Sequence, residues 1–99
     1  MGNMAKGYIL SAHRSPADSK KRDAYTKLAI PALEDAGGKF LAKAAKVTPK
    51  ENGINERTIL IEFESYQKAL AAYESEAYQK ALKVLDGGAD RDFRIFEGV

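Results

Sequence analysis

Four short stretches of this chain alternate in side-chain character with a period of two, and the longer stretches between them repeat with the three-and-four spacing of a helix. That ordering constrains the fold more than any single residue does. Lys6 to His13 reads as a first strand, with Tyr8, Leu10 and Ala12 on one face and Ile9, Ser11 and His13 on the other. Ser15-Pro16-Ala17-Asp18 then offers a capping hydroxyl, a proline whose missing N–H costs nothing there, and an acid at the positive end of a helix dipole. Ala24, Tyr25, Leu28, Ala32, Leu33 and Ala36 give that helix an apolar stripe, and Gly37-Gly38 supplies its cap. Pro31 interrupts the stripe and predicts a kink, or two helical pieces meeting near Ile30.

Lys39 to Val47 reads as a second strand, with Phe40, Ala42 and Ala44 opposed to Lys39, Leu41, Lys43 and Ala45. The Pro and Asn-Gly punctuation between Thr48 and Asn55 predicts a hairpin-like connection, so the strands on either side are expected to be antiparallel. Arg57 to Phe63 is the clearest strand, Ile59, Ile61 and Phe63 opposing Thr58, Leu60 and Glu62. Ser65 can cap a second helix. The pentapeptide Tyr-Gln-Lys-Ala-Leu occurs at Tyr66 and again at Tyr78, and in one unbroken helix the copies would be about 120° out of phase. A break at Ser75 would let both bury their Tyr and Leu; coincidence in an Ala/Lys/Leu-rich helix is the alternative. Gly87-Gly88 ends the region, and Phe93, Ile95 and Glu97 against Arg94 and Phe96 form a closing strand.

The order strand, helix, strand, strand, helix, strand is the split βαβ pattern of an α+β, ferredoxin-like protomer, a four-stranded antiparallel sheet with helices on one face. The 99 residues suffice for one such domain, expected over residues 5–99, with residues 1–4 outside it as a disordered or vector-derived terminus or an alternative start. The expected core is Tyr8, Leu10, Phe40, Ala42, Ile59, Ile61, Phe63, Phe93 and Ile95. The uncovered face would then receive Ile9, Ser11, His13, Leu41, Lys43, Thr58, Leu60, Glu62, Arg94 and Phe96. Ile9, Leu41, Leu60 and Phe96 would make it a contiguous apolar patch, which predicts a homodimer packed through the sheets.

His13, Lys43, Glu62 and Arg94 on that face, with Tyr73, are the candidate ligand contacts; a cross-strand ion-pair network is the more ordinary reading of Lys43, Glu62 and Arg94. His13 is the one group titrating near neutrality, a candidate general base or metal ligand, or else a solvated strand-end residue. With one His and no Cys, a transition-metal site would need carboxylates for nearly all its ligands, and none is expected. The diglycines follow helices instead of preceding them, so they are caps and not phosphate cradles. Nucleophile elbows and Walker loops are absent, and a net charge of +2 with no aromatic-interleaved basic patch argues against nucleic acid. No run is long and apolar enough for a membrane span, and the lack of cysteine fits a cytoplasmic setting.

Gly37-Gly38-Lys39-Phe40-Leu41, the Glu62-Phe63 pair, Tyr73-x-Ser75-x-x-Tyr78-Gln79 and the closing Glu97-Gly98-Val99 together resemble the family known as domain of unknown function 1330, within the dimeric α/β-barrel superfamily. The similarity runs from about Ala5 to Val99 and implies a ferredoxin-like protomer that pairs into a barrel. Pro31 matches a proline usual in the family, and Lys43 stands where Arg is frequent. Ala72 stands in place of a usual Trp, Glu76-Ala77 in place of Pro-Glu, and Asp86 lies where an Arg is common. The family implies no settled activity. The expected function is therefore a small homodimeric barrel domain of unknown function that binds a small organic molecule between sheet and helices, with no cofactor. The alternative is a cofactor-independent monooxygenase or isomerase acting on a phenolic or enolisable substrate, with His13 as proton acceptor and Arg94 or Lys43 stabilising an enolate-like anion. Haem binding through His13 is a third reading.

Overall fold

The computed structural model describes residues 5–99, so the expectations for residues 1–4 lie outside the described residues. The elements follow in the order β1 (Gly7–His13), α1 (Ser19–Asp35), β2 (Lys39–Ala44), β3 (Thr58–Phe63), α2 (Tyr66–Glu74), α3 (Glu76–Leu85) and β4 (Arg91–Glu97). The strands form one antiparallel sheet in the order β2-β3-β1-β4, the ferredoxin-like arrangement, with the second helical region divided in two. β2 ends at Ala44, three residues before the expected Val47.

The local signals account for most boundaries. Asp18, not Ser15, caps α1, its carboxylate accepting the Lys21 N–H at 3.0 Å. α1 passes through Pro31 as one helix. The carbonyl that Pro31 leaves without a donor belongs to Lys27, and both residues are solvent-exposed, so water can satisfy it. The stripe is turned relative to expectation: Ala29, Ala32 and Leu33 are buried while Leu28 and Ala24 face solvent. Gly37, at φ 96°, takes the left-handed turn that ends α1, and Gly38 N–H returns to the Leu33 carbonyl at 2.8 Å. Ser75 breaks the second helical region, closing α2 and capping α3, where its Oγ accepts the Tyr78 N–H at 3.2 Å. The break resolves the repeat unequally: Tyr78 is fully buried, whereas Tyr66 is half-buried.

Two strands differ from the expected facing. β1 turns Gly7, Ile9, Ser11 and His13 toward the helices and Tyr8, Leu10 and Ala12 to the uncovered face, the reverse of the expectation. Gly7 fixes this phase. A Cβ there would collide with the Ser65 carbonyl and the Tyr66 backbone at the start of α2, so only glycine lets the chain pass and every second residue after it faces inward. In β2, one step of β3 from Ile61 to Leu60 spans Phe40 to Ala42, so Leu41 is the extra residue of a bulge. Beyond it the alternation is reversed: Ala42 pairs with Leu60 on the uncovered face and Lys43 with Ile59 on the helix side. β3 and β4 follow the sequence reading, with Ile59, Ile61, Phe63, Phe93 and Ile95 inward.

The core lies between sheet and helices. Ile9, Phe63 and Tyr78 are its largest fully buried side chains, each worth roughly 1.5–3 kcal/mol of apolar burial. Ala29, Ala32, Ala69, Ala72 and Ala81 are buried beside them and let the helices sit close to the sheet. Tyr8 and Leu10 are thus removed from the expected core, and Ile9 is removed from the expected surface patch. No helix among the described residues is long and apolar enough to cross a membrane.

Candidate functional site

The helix-facing side of the sheet is graded from apolar to cationic, and the gradation follows from strand pairing. One row across the strands is Phe40, Ile61, Ile9 and Ile95. The next is Lys43, Ile59, Ser11 and Phe93. The last pairs His13 with Arg91, and the His13 N–H donates to the Arg57 carbonyl at 2.9 Å, so Arg57 continues that row. α1 lies over this end and contributes Arg22, Tyr25 and Ile30, and α3 contributes Tyr78. These groups line a cavity of about 50 Å³ between α1 and the sheet.

Arg91 organises the cavity. Its Nη1 donates to Tyr25 Oη at 3.1 Å and to Ser11 Oγ at 3.4 Å, and its guanidinium lies 4.9 Å from the Phe93 ring centre and 5.1 Å from that of Tyr25. Tyr25 and Tyr78 share a hydrogen bond of 2.7 Å. Burial, followed by the nearby Tyr25, pushes the Tyr78 hydroxyl far above the usual phenol range, so Tyr78 stays neutral. Arg91 pairs with no carboxylate among the described residues, and its Nε and Nη2 make no hydrogen bond there.

His13 is only 7% exposed and makes no side-chain hydrogen bond among the described residues. No buried side-chain polar atom among those residues lacks a partner, so the His13 ring nitrogens are solvent-accessible, and the residue lines the cavity. Burial lowers its pKa, and the positive charges of Arg91, Arg57 and Arg22 lower it further. The imidazole is therefore neutral near pH 7, able to accept a proton.

The five candidate residues do not converge. His13 and Lys43 line the cavity. Glu62 and Arg94 are on the uncovered face, where Tyr8 Oη donates to Glu62 at 3.2 Å and Arg94 holds Asp92 through two bonds of 2.9 and 3.0 Å. Tyr73 packs between the Tyr78 and Phe93 rings, at 5.3 and 5.4 Å, behind the cavity. The alternative ion-pair network of Lys43, Glu62 and Arg94 does not form either, because the bulge carries Lys43 to the other side, 4.6 Å above the Phe40 ring.

Arg91, Arg57, Tyr25 and Tyr78 were not among the sequence candidates. A signal for Arg91 exists: stepping back by two from Ile95 and Phe93 puts a charged residue on the core-facing side of β4, where only a partnered or functional charge persists.

The fold is shared with solved structures of low sequence identity. A protein of unknown function from Rhodopseudomonas palustris is 15% identical, with a TM-score of 0.71 over 98% of this chain and 85% of that chain. A hypothetical Arabidopsis thaliana protein is 13% identical, with a TM-score of 0.62 over 99% and 90%. A cofactor-independent oxygenase from Streptomyces nogalater is 9% identical, with a TM-score of 0.56 over 95% and 92%. No curated protein matches the sequence. The family described as domain of unknown function DUF1330 matches residues 6–99, nearly the whole chain, and this protein belongs to that family.

Proposed function

We propose that this protein binds a small organic molecule in the cavity between α1 and the sheet. The observation that carries the reading is the gradation of the lining, with apolar Ile30, Phe40, Ile59 and Phe93 around one part and Ser11, His13, Tyr25 and Arg91 at the other, as in sites that combine an apolar body with a few orienting polar groups. The volume limits the occupant. A cavity of about 50 Å³ is roughly a third of the about 150 Å³ that holds benzene, so a compound of a few heavy atoms fits and a ring does not. A thermal-shift screen of small metabolites tests this: compounds of that size raise the melting temperature, and the absence of any shift across the screen refutes it.

The same reading includes a homodimer formed through the uncovered face. Tyr8 and Phe96 stack there at 5.4 Å, Phe96 is 40% exposed, and Leu10 and Leu60 lie beside them in neighbouring strands. Light scattering at micromolar concentration is expected to give the dimer mass; a single species at monomer mass contradicts it. A cytoplasmic setting rests on the absence of cysteine.

A second reading, a cofactor-independent oxygenase or isomerase, is favoured by the neutral His13 beside Arg91. His13 would take a proton from an acidic C–H or O–H, and Arg91, not the expected Arg94, would face the resulting anion. Similarity in fold to a cofactor-independent oxygenase supports it. The cavity suits a short enolisable substrate better than a phenol, which would require α1 to move. Exchange of a substrate C–H proton, or oxygen uptake, that survives His13→Ala unchanged refutes the assignment.

A further inference from the structure

Resting on the cavity reading above, we infer that the natural occupant is a small organic anion, a carboxylate of about acetate size, with its charge at the Arg91 and His13 end. The lining holds Arg22, Lys43, Arg57 and Arg91 and no Asp or Glu. Lys43 is exposed and Arg22 pairs with Asp23, whereas Arg91 is half-buried with no carboxylate partner among the described residues, a charge that an anion at that end would complete.

Of the acids beside these residues in sequence, Asp23 pairs with Arg22 itself, and Asp90 and Asp92 pair away from the cavity. Asp23 lies 3.5 Å from Arg22, Asp90 4.0 Å from Arg14, and Asp92 turns to Arg94 on the other face of the sheet. Arg57 and Arg91 have no acidic partner among the described residues. Arg91 is held in place by Tyr25, Ser11 and the Phe93 ring while Nε and Nη2 remain unbonded, so the adjacent N–H groups that form a fork for carboxylate oxygens are pre-positioned and available. Burial first, and after it the positive charges of Arg91, Arg57 and Arg22, lower the basicity of His13 at the same end of the cavity. The size limit and the charge pattern together select a short carboxylate over a larger or neutral molecule.

The test compares acetate with acetamide, nearly equal in shape and different in charge, by NMR titration of the full chain. Acetate is expected to bind at the residues lining the cavity at least about tenfold more tightly than acetamide, and Arg91→Gln to remove most of that preference. Arg57→Gln, whose side chain makes no hydrogen bond among the described residues, gives a smaller loss and serves if Arg91→Gln fails to fold. Equal binding of the two compounds at the cavity overturns the anion inference and leaves the cavity reading standing. Perturbation of the cavity by neither compound overturns both.

Discussion

Exchanging Ile9 and Leu10 for alanine one at a time measures which face of β1 is inside. Ile9 is inaccessible to solvent, and the Ile61 opposite it is nearly so. Ile9→Ala removes apolar volume worth about 2 kcal/mol from transfer alone, and the cavity left behind brings the expected loss to about 2–5 kcal/mol. For a chain of this size that lowers the melting temperature by about 10 °C or more. Leu10, partly exposed on the uncovered face opposite Leu60 and Arg94, is expected to cost the protomer only about 1 kcal/mol, with any further loss dependent on protein concentration because it would come from the dimer. Urea melts at two protein concentrations separate these contributions. A larger concentration-independent loss for Leu10→Ala than for Ile9→Ala would refute the facing of β1, and with it the placement of Ser11 and His13 in the cavity.

Ser75→Ala removes an acceptor for the Tyr78 N–H and a donor to the Ala72 carbonyl, and is expected to cost about 1 kcal/mol by chemical denaturation, more than a surface Ser→Ala elsewhere. Phe96→Arg on the uncovered face is expected to convert the dimer to monomer in light scattering without changing the far-ultraviolet circular dichroism. Stability is expected to fall with acid through His13. Above the ordinary value of 6.5 both folded and unfolded chains carry it neutral; below that value the unfolded chain takes up a proton the folded chain refuses, down to the lowered folded pKa. The difference in melting temperature between wild type and His13→Gln, followed from pH 7 downward, should therefore move against the wild type as acid is added; a constant difference contradicts it.

The element order was legible because β3, the diglycine caps and the Asn-Gly connection each carry a local signal that no tertiary contact overrides. Ser75 was legible for the same reason, since a hydroxyl between two out-of-phase helical copies has an evident use as a cap. The faces of β1 and β2 were not. Both faces of β1 carry apolar residues, so alternation alone leaves its phase undecided, and the deciding contact, Gly7 against the start of α2, joins distant parts of the chain. The β2 bulge is invisible in Phe-Leu-Ala-Lys-Ala because either phase reads as a strand. Those two phases decide the site: they carry His13 and Lys43 to the helix side and leave Glu62 and Arg94 behind. Tyr25, Tyr78 and Arg91 converge from α1, α3 and β4, a meeting that depends on strand order and not on spacing.

The electropositive character of the cavity, whose lining holds no Asp or Glu, is tested directly by NMR titration of His13. Arg22 and Tyr25 on α1, Lys43 on β2, Arg57 before β3, Tyr78 on α3 and Arg91 on β4 line the cavity with it. The imidazole is predicted to titrate below 6.5 in the free protein and to shift upward when acetate is added. A midpoint at or above 6.5 in the free protein, unmoved by acetate, would contradict that electropositive character.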